Sequence, residues 1–189
     1  MGQLNNDAAA LSVQRKPFIV GVMGSHKEEP SVMEDARRLG EAIARRGHVL
    51  LTGGGPGLMR AASEGAYRAG GLVIGILPND RRRILNGYPN EFVHIPIYTG
   101  MSDARNVINA KTPHMLVALN GSVGTLSEIA LALRVGTPVI GLHCPKFSLP
   151  EDQDFTPVAS IEEAIREMDR ILERCNDHAA GCAKNIPLL

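Results

Sequence analysis

The 189-residue chain has no Trp, and its aromatic residues amount to three Tyr and four Phe. That is too few rings for a base-stacking platform, so single-stranded nucleic acid is not an expected partner. Excess charge of either sign is also missing, because Lys+Arg and Asp+Glu number 20 each. No long-range field draws the chain to nucleic acid or an anionic membrane, and any bound anion must be held by local groups. The three cysteines, Cys144, Cys175 and Cys182, form no CxxC pair and are odd in number. This predicts a reducing, cytoplasmic setting rather than a disulfide framework. No apolar run approaches a membrane span. The opening MGQLNNDAAALSVQRK lacks a signal-peptide core, and Asn6 stands where a myristoylation signal needs Ser or Thr.

Several catalytic signatures are absent too. There is no GxxxxGK followed by Ser or Thr, and Gly55-Pro-Gly57-Leu-Met-Arg60 ends in Arg, so neither a P-loop nor an ordinary NAD fingerprint is met. No nucleophile elbow occurs, Cys144 has no evident His partner, and Lys111 lacks a PLP context. The six His show no metal-ligand spacing, so no protein-derived metal site is expected.

What is present is a regular alternation. Apolar, β-rich runs at 17–25, 48–55, 72–78, 93–100, 114–120 and 138–143 predict strands. Between them, Val32, Ala36, Leu39 and Ile43 mark a helical face, and further helices are predicted at 57–69, 102–111, after Asn120, and from Ile161 to about Cys175. The pattern predicts one Rossmann-like, three-layer α/β domain over residues 16–176, its mainly parallel sheet covered by helices on both faces. Residues 1–15 and 177–189 read as flexible tails, and the Pro-rich, acidic stretch 144–159 as a surface loop.

In such a sheet, ligands sit at the carboxyl ends of the strands where strand order reverses. Three turns have suitable chemistry: Gly24-Ser25-His26 after the first strand, Gly53-Gly54-Gly55-Pro56-Gly57 after the second, and Asn120-Gly121-Ser122-Val123-Gly124-Thr125 after the fifth. If the first and fifth strands are neighbours, the turns line one crevice. Glycine lets backbone amides at a helix start approach a phosphate; it equally makes a tight packing turn. In TGMSDARNVINA, Met101, Ser102, Arg105 and Asn106 lie just beyond the fourth strand, with Asp103 and Asn109 nearby. Arg105 reads either as an anion clamp or as a solvated helix arginine. Arg81-Arg82-Arg83 reads mainly as a solvated loop run.

Glu128 has two readings. Thr125-Leu-Ser-Glu128 fits a capping box, as do Ser31-Val-Met-Glu34 and Ser160-Ile-Glu-Glu163. Unlike those two, Glu128 opens an apolar run, and a carboxylate leaving water must be paired or hydrogen-bonded.

Taken together, GGGPGLM, SDARN, NGSVGTLSE and ALRVGTPVIGL resemble the Rossmann-like superfamily of the LOG-type phosphoribohydrolases, once labelled "lysine decarboxylase". The finer resemblance is to its molybdenum cofactor carrier proteins. It rests on Val20–Gly24, Leu50–Gly54, Val73–Pro78, Ile95–Gly100, Ser102–Ala110 and Gly124–Leu133, and covers about 17–143. The chain departs from the hydrolases in reading Asn120-Gly121-Ser122 for Pro-Gly-Gly and Arg105-Asn106 for Arg-Lys. Arg105 and Glu128 are retained.

The resemblance implies a carrier that holds molybdenum cofactor, a phosphorylated pterin, on glycine-turn amides and Arg105, with apo-molybdoenzymes as recipients. The alternative it implies is a hydrolase cleaving the N-glycosidic bond of an AMP-like nucleotide, with Arg105 and Glu128 catalytic. The largely apolar helix after Glu128 further predicts a homo-oligomer, a dimer or tetramer.

Overall fold

The computed structural model describes residues 16–26, 29–145, 148–149 and 153–181. The tail expected at 1–15 lies outside them, as does the 182–189 part of the second one. Seven parallel strands form one sheet: β1 (Ile19–Gly24), β2 (Val49–Thr52), β3 (Val73–Leu77), β4 (Ile95–Tyr98), β5 (Met115–Leu119), β6 (Val139–Leu142) and β7 (Phe155–Val158). Their spatial order is β4-β3-β2-β1-β5-β6-β7. The order reverses between β1 and β5, which pair from Val20↔Met115 to Gly24↔Leu119. The expected adjacency is therefore present, and the turns after β1 and β5 flank the switch point.

The five helices are α1 (Pro30–Arg45), α2 (Leu58–Arg68), α3 (Asn106–Lys111), α4 (Val123–Arg134) and α5 (Ile161–Gly181), with a short 3-10 turn, Ser102–Arg105, before α3. Alternation along the strands sorts the core into two layers. Val20, Val22, Val117 and Leu119 face Leu39 and Ile43 of α1, Ala62 of α2 and Met168 of α5. Met23, Leu116 and Ala118 pack with Ile129, Ala132 and Leu133 of α4 on the opposite face. Gly40 and Gly65 let α1 and α2 touch backbone to backbone: a Cβ on Gly40 would overlap the Ala62 carbonyl, and one on Gly65 the Arg37 carbonyl.

Three local expectations are corrected. The stretch 144–159 is not all loop, since it contains β7, paired with β6 from Val139↔Phe155 to Leu142↔Val158. An edge strand uses hydrogen bonds on one side only, so it tolerates Pro157. The last helix does not end near Cys175 but continues to Gly181, and no Gly or Pro interrupts it before that residue. The first helix is not capped by Ser31, because the chain enters at Glu29 with Pro30 in the first turn, and Glu34 pairs with Arg37 instead. Of the predicted capping boxes, the third forms in part: Ser160 Oγ accepts the Glu163 amide at 3.2 Å, while Glu163 Oε2 reaches past the cap to accept the Ala159 amide at 2.7 Å. No helix among the described residues is long and apolar enough to cross a membrane.

Candidate functional site

The turns after β1 and β2 are in direct contact. The Leu58 amide donates to the Ser25 carbonyl at 3.2 Å, tying the first turn to the start of α2. Gly57, at φ 68°, lies so near His26 that a Cβ would sit 2.7 Å from the His26 carbonyl carbon. Gly24 is equally confined, 2.8 Å from the Leu58 Cβ by the same construction. The carbonyls of the β2 turn point into the protein: Asn90 N–H donates to Gly54 O at 2.8 Å and Asn90 Nδ2 to Gly55 O at 3.0 Å.

Arg105 accounts for the third carbonyl. Its Nη1 donates to Gly53 O at 2.5 Å and also to Ile76 O, so the guanidinium joins the ends of β2 and β3. The residue is only 9 % exposed. A buried cation must be matched by hydrogen bonds, and here the first matches are backbone carbonyls rather than a carboxylate. Arg105 is therefore not a solvated helix arginine. Tyr88 lies over the same place, its ring centroid 5.9 Å from the guanidinium carbon and 6.4 Å from the His26 ring. Burial pushes the Tyr88 phenol up, while the Arg105 charge pulls it down. A Cβ on Gly55 would strike the Tyr88 ring.

On the other side of the switch point, Asn120 ends β5 at φ 58° and accepts the Gly121 amide through Oδ1 at 2.8 Å. Asn tolerates this left-handed conformation, whereas Pro, with φ near −65°, cannot adopt it. The departure from Pro-Gly-Gly thus accompanies a different backbone. Helix α4 is capped by Ser122, whose Oγ accepts the Thr125 amide at 3.3 Å and bonds the Thr125 hydroxyl at 3.1 Å. Thr125 is therefore not the cap and the expected capping box does not form, because the helix begins at Val123. The first-turn amides of α4 have no intrahelical acceptor, and the helix dipole makes this end favourable for an anion.

Freed from capping, Glu128 turns inward and is 7 % exposed. Asn109 Nδ2 donates to its Oε1 at 2.7 Å. Burial raises the carboxyl to about 7, against the Asn109 hydrogen bond and the Arg105 charge, which both lower it. Asn106 does not replace the missing cation; its Nδ2 donates to Ser127 Oγ at 2.8 Å and ties α3 to α4. Met101 is 46 % exposed and Val123 85 %, so both lie at the rim. Arg81, Arg82 and Arg83 are exposed, as expected. Among the described residues no three His, Cys, Asp or Glu gather as a metal site.

Sequence reasoning missed Tyr88 and Asn90, which reach the glycine turn from the β3–β4 connection. That connection has no periodicity to mark its inward residues.

The Glu128 carboxyl sets a pH dependence. Its folded value lies above the unfolded one, so its contribution is full below pH 4.5 and is lost as pH rises through about 7. Glu128→Gln, a neutral isostere, should gain roughly 2–3 kcal/mol of relative stability between pH 5 and pH 8. Denaturant titrations at both pH values check this; a pH-independent difference contradicts it.

The architecture has clear relatives. The SLOG cluster4 family model matches residues 17–170. The molybdenum cofactor binding protein of the phototrophic bacterium Rippkaea orientalis superposes with a TM-score of 0.75 at 38 % identity, covering 84 % of this chain and 99 % of that one. The molybdenum cofactor carrier protein of Chlamydomonas reinhardtii gives 0.73 at 37 %, with the same coverage. An uncharacterized protein of Archaeoglobus fulgidus is 43 % identical over 67 % of this chain and 80 % of its own. The cytokinin riboside 5'-monophosphate phosphoribohydrolase of Mycobacterium marinum is 32 % identical over 60 % of this chain and 59 % of that protein. With the sheet, the glycine turns, Arg105 and Glu128 all inside the matched region, the chain belongs to the SLOG cluster4 family.

Proposed function

We propose that the protein binds molybdenum cofactor as cargo and serves as its carrier or store. The observation that carries this reading is the buried Arg105 cation at the carboxyl ends of β2 and β3, beside a carboxyl that burial raises to about 7. Burial disfavours the ionised form of Glu128, so the Arg105 charge is left available to a phosphate or oxo anion. The amino end of α4, capped by Ser122, supplies amide donors for the same anion. The dithiolene of the cofactor brings its own metal ligands, so the chain needs none. Support also comes from two solved proteins named for this cofactor, each matched over 99 % of its length.

The second reading is a nucleotide hydrolase, favoured by retention of both Arg105 and Glu128 and by the phosphoribohydrolase relative. Catalysis would use an ionised Glu128 to stabilise an oxocarbenium-like transition state. The elevated carboxyl and the diversion of Asn106 to Ser127 both weigh against it.

Anaerobic titration with molybdenum cofactor should show binding, protection from decay, and transfer to an apo-molybdoenzyme. Arg105→Lys should weaken binding roughly 10- to 100-fold, because one ammonium cannot hold two carbonyls and an anion in the geometry of the fork. Absence of binding overturns the carrier reading. Release of free base and ribose 5-phosphate from AMP, abolished by Glu128→Gln, would establish the hydrolase instead.

We also infer a homo-oligomer. Helix α4 is apolar nearly all round, and Val123, Leu126 and Val135 at or just past its ends are 85 %, 36 % and 42 % exposed, with Val107 of α3 at 37 %. A helix of this kind is ordinarily covered. Light scattering should return a dimer or tetramer, and a monomer would refute it.

A further inference from the structure

We propose that a cavity beside the crevice, formed under the β3–β4 connection, reads a fused 2-amino-4-oxo pyrimidine ring through the Asp80 carboxylate. This donor edge is shared by pterins and guanine. The proposal rests on the crevice being the site of a phosphorylated pterin, and names the part of the protein that would recognise the ring.

After β3 the chain turns at Pro78 and Asn79, then folds back as an arm that ends with Tyr88 over the glycine turn. Between the arm and the 3-10 turn lies a cavity of about 270 Å³, lined by Asn79, Asp80, Arg83, Leu85 and Ser102 among others. Ser102 opens the same short helix that ends at Arg105, so cavity and crevice share a wall.

Two features of the cavity point to a ligand. Asn79 is 9 % exposed and its Nδ2 donates to Asp80 O at 3.1 Å and Arg83 O at 2.7 Å, yet its Oδ1 is buried with no hydrogen-bond partner among the described residues. A buried acceptor in that state is costly until a donor reaches it. Asp80 is oriented in advance: its Oδ1 accepts the Arg82 and Arg83 amides at 2.8 and 3.0 Å, and Gly100 lies against its Cβ. Oδ2 stands outside those two bonds.

An amino N–H beside a ring N–H presents two adjacent donors to Asp80 Oδ2, the carboxylate oxygen that the Arg82 and Arg83 amides leave free. Adenine presents an amino group beside a ring acceptor, so its edge would set a lone pair against the carboxylate. Such an unpaired contact discriminates more strongly than added apolar area. Arg83 offers a donor for the 4-oxo oxygen, and Leu85 an apolar face for the ring. The reach is also suitable: β3 lies one strand from the β2 turn and three from the β5 turn. That is about 5–14 Å at the usual strand spacing, the length over which a phosphopterin or nucleoside monophosphate separates ring edge and phosphate.

The test is calorimetric titration of the full chain, wild type and Asp80→Asn, with 6-hydroxymethylpterin phosphate, GMP, AMP and inorganic phosphate. Asn keeps an Oδ1 acceptor for the Arg82 and Arg83 amides, so the arm is retained, as unchanged phosphate binding would verify. Wild type should prefer pterin phosphate and GMP over AMP by roughly 10- to 100-fold, and Asp80→Asn should erase that preference without weakening AMP. Equal affinity for GMP and AMP in wild type overturns the proposal, as does a preference that survives Asp80→Asn. Pterin phosphate binding that persists unaltered in Asp80→Asn overturns the subsite and leaves the carrier reading standing. A GMP preference erased by Asp80→Asn, without any pterin phosphate binding, upholds the subsite's edge reading and overturns the carrier. Binding of none of the ring compounds overturns both.

Discussion

The arrangement of the strand ends depends on one buried guanidinium. Arg105 Nη1 donates to the carbonyls that end β2 and β3, so a charge that would be costly in the interior becomes the tie between two strand ends. The neighbouring residues follow from that bond. Position 53 must be glycine, because a Cβ there would overlap Nη1. Tyr88 can lie over the turn because glycine at 55 leaves room for its ring. Glu128, though buried, is partly offset by the Arg105 charge and the Asn109 amide, and so titrates near neutrality.

Much of this was legible in the sequence. Strand-length apolar runs locate β1 to β6, and the rule that ligands bind where strand order reverses assigns three separated turns to one edge. What was hidden depends on partners far along the chain. β7 lay inside a Pro-rich acidic stretch, and it is a strand because β6 offers Val139–Leu142 an open side. Glu128 stood out by its apolar context, but its partner Asn109 is on another helix. The motif Thr125-Leu-Ser-Glu128 suggested a cap by local spacing, while Ser122 began the helix earlier and left Glu128 free to face inward.

The same correction bears on function. Ser122 caps the helix whose amides the carrier reading assigns to an anion, and Asn120 takes a backbone conformation denied to the Pro of the hydrolase pattern. Asn106, where those enzymes carry Lys, is spent on a bond to Ser127. Each departure is compatible with holding an anion, and none adds a group that would cleave a glycosidic bond. A chain with the carriers' fold over 99 % of their length, and with the hydrolases' chemistry pared to a single cation and a carboxyl that burial holds toward its neutral form, is better suited to holding than to cutting.

The most direct test of that claim is mass spectrometry of the small molecules that copurify with the untreated protein. The account predicts a molybdenum-free or molybdenum-bearing pterin phosphate, or its oxidation product. A stoichiometric nucleoside monophosphate in its place, or its base together with ribose 5-phosphate, would contradict it.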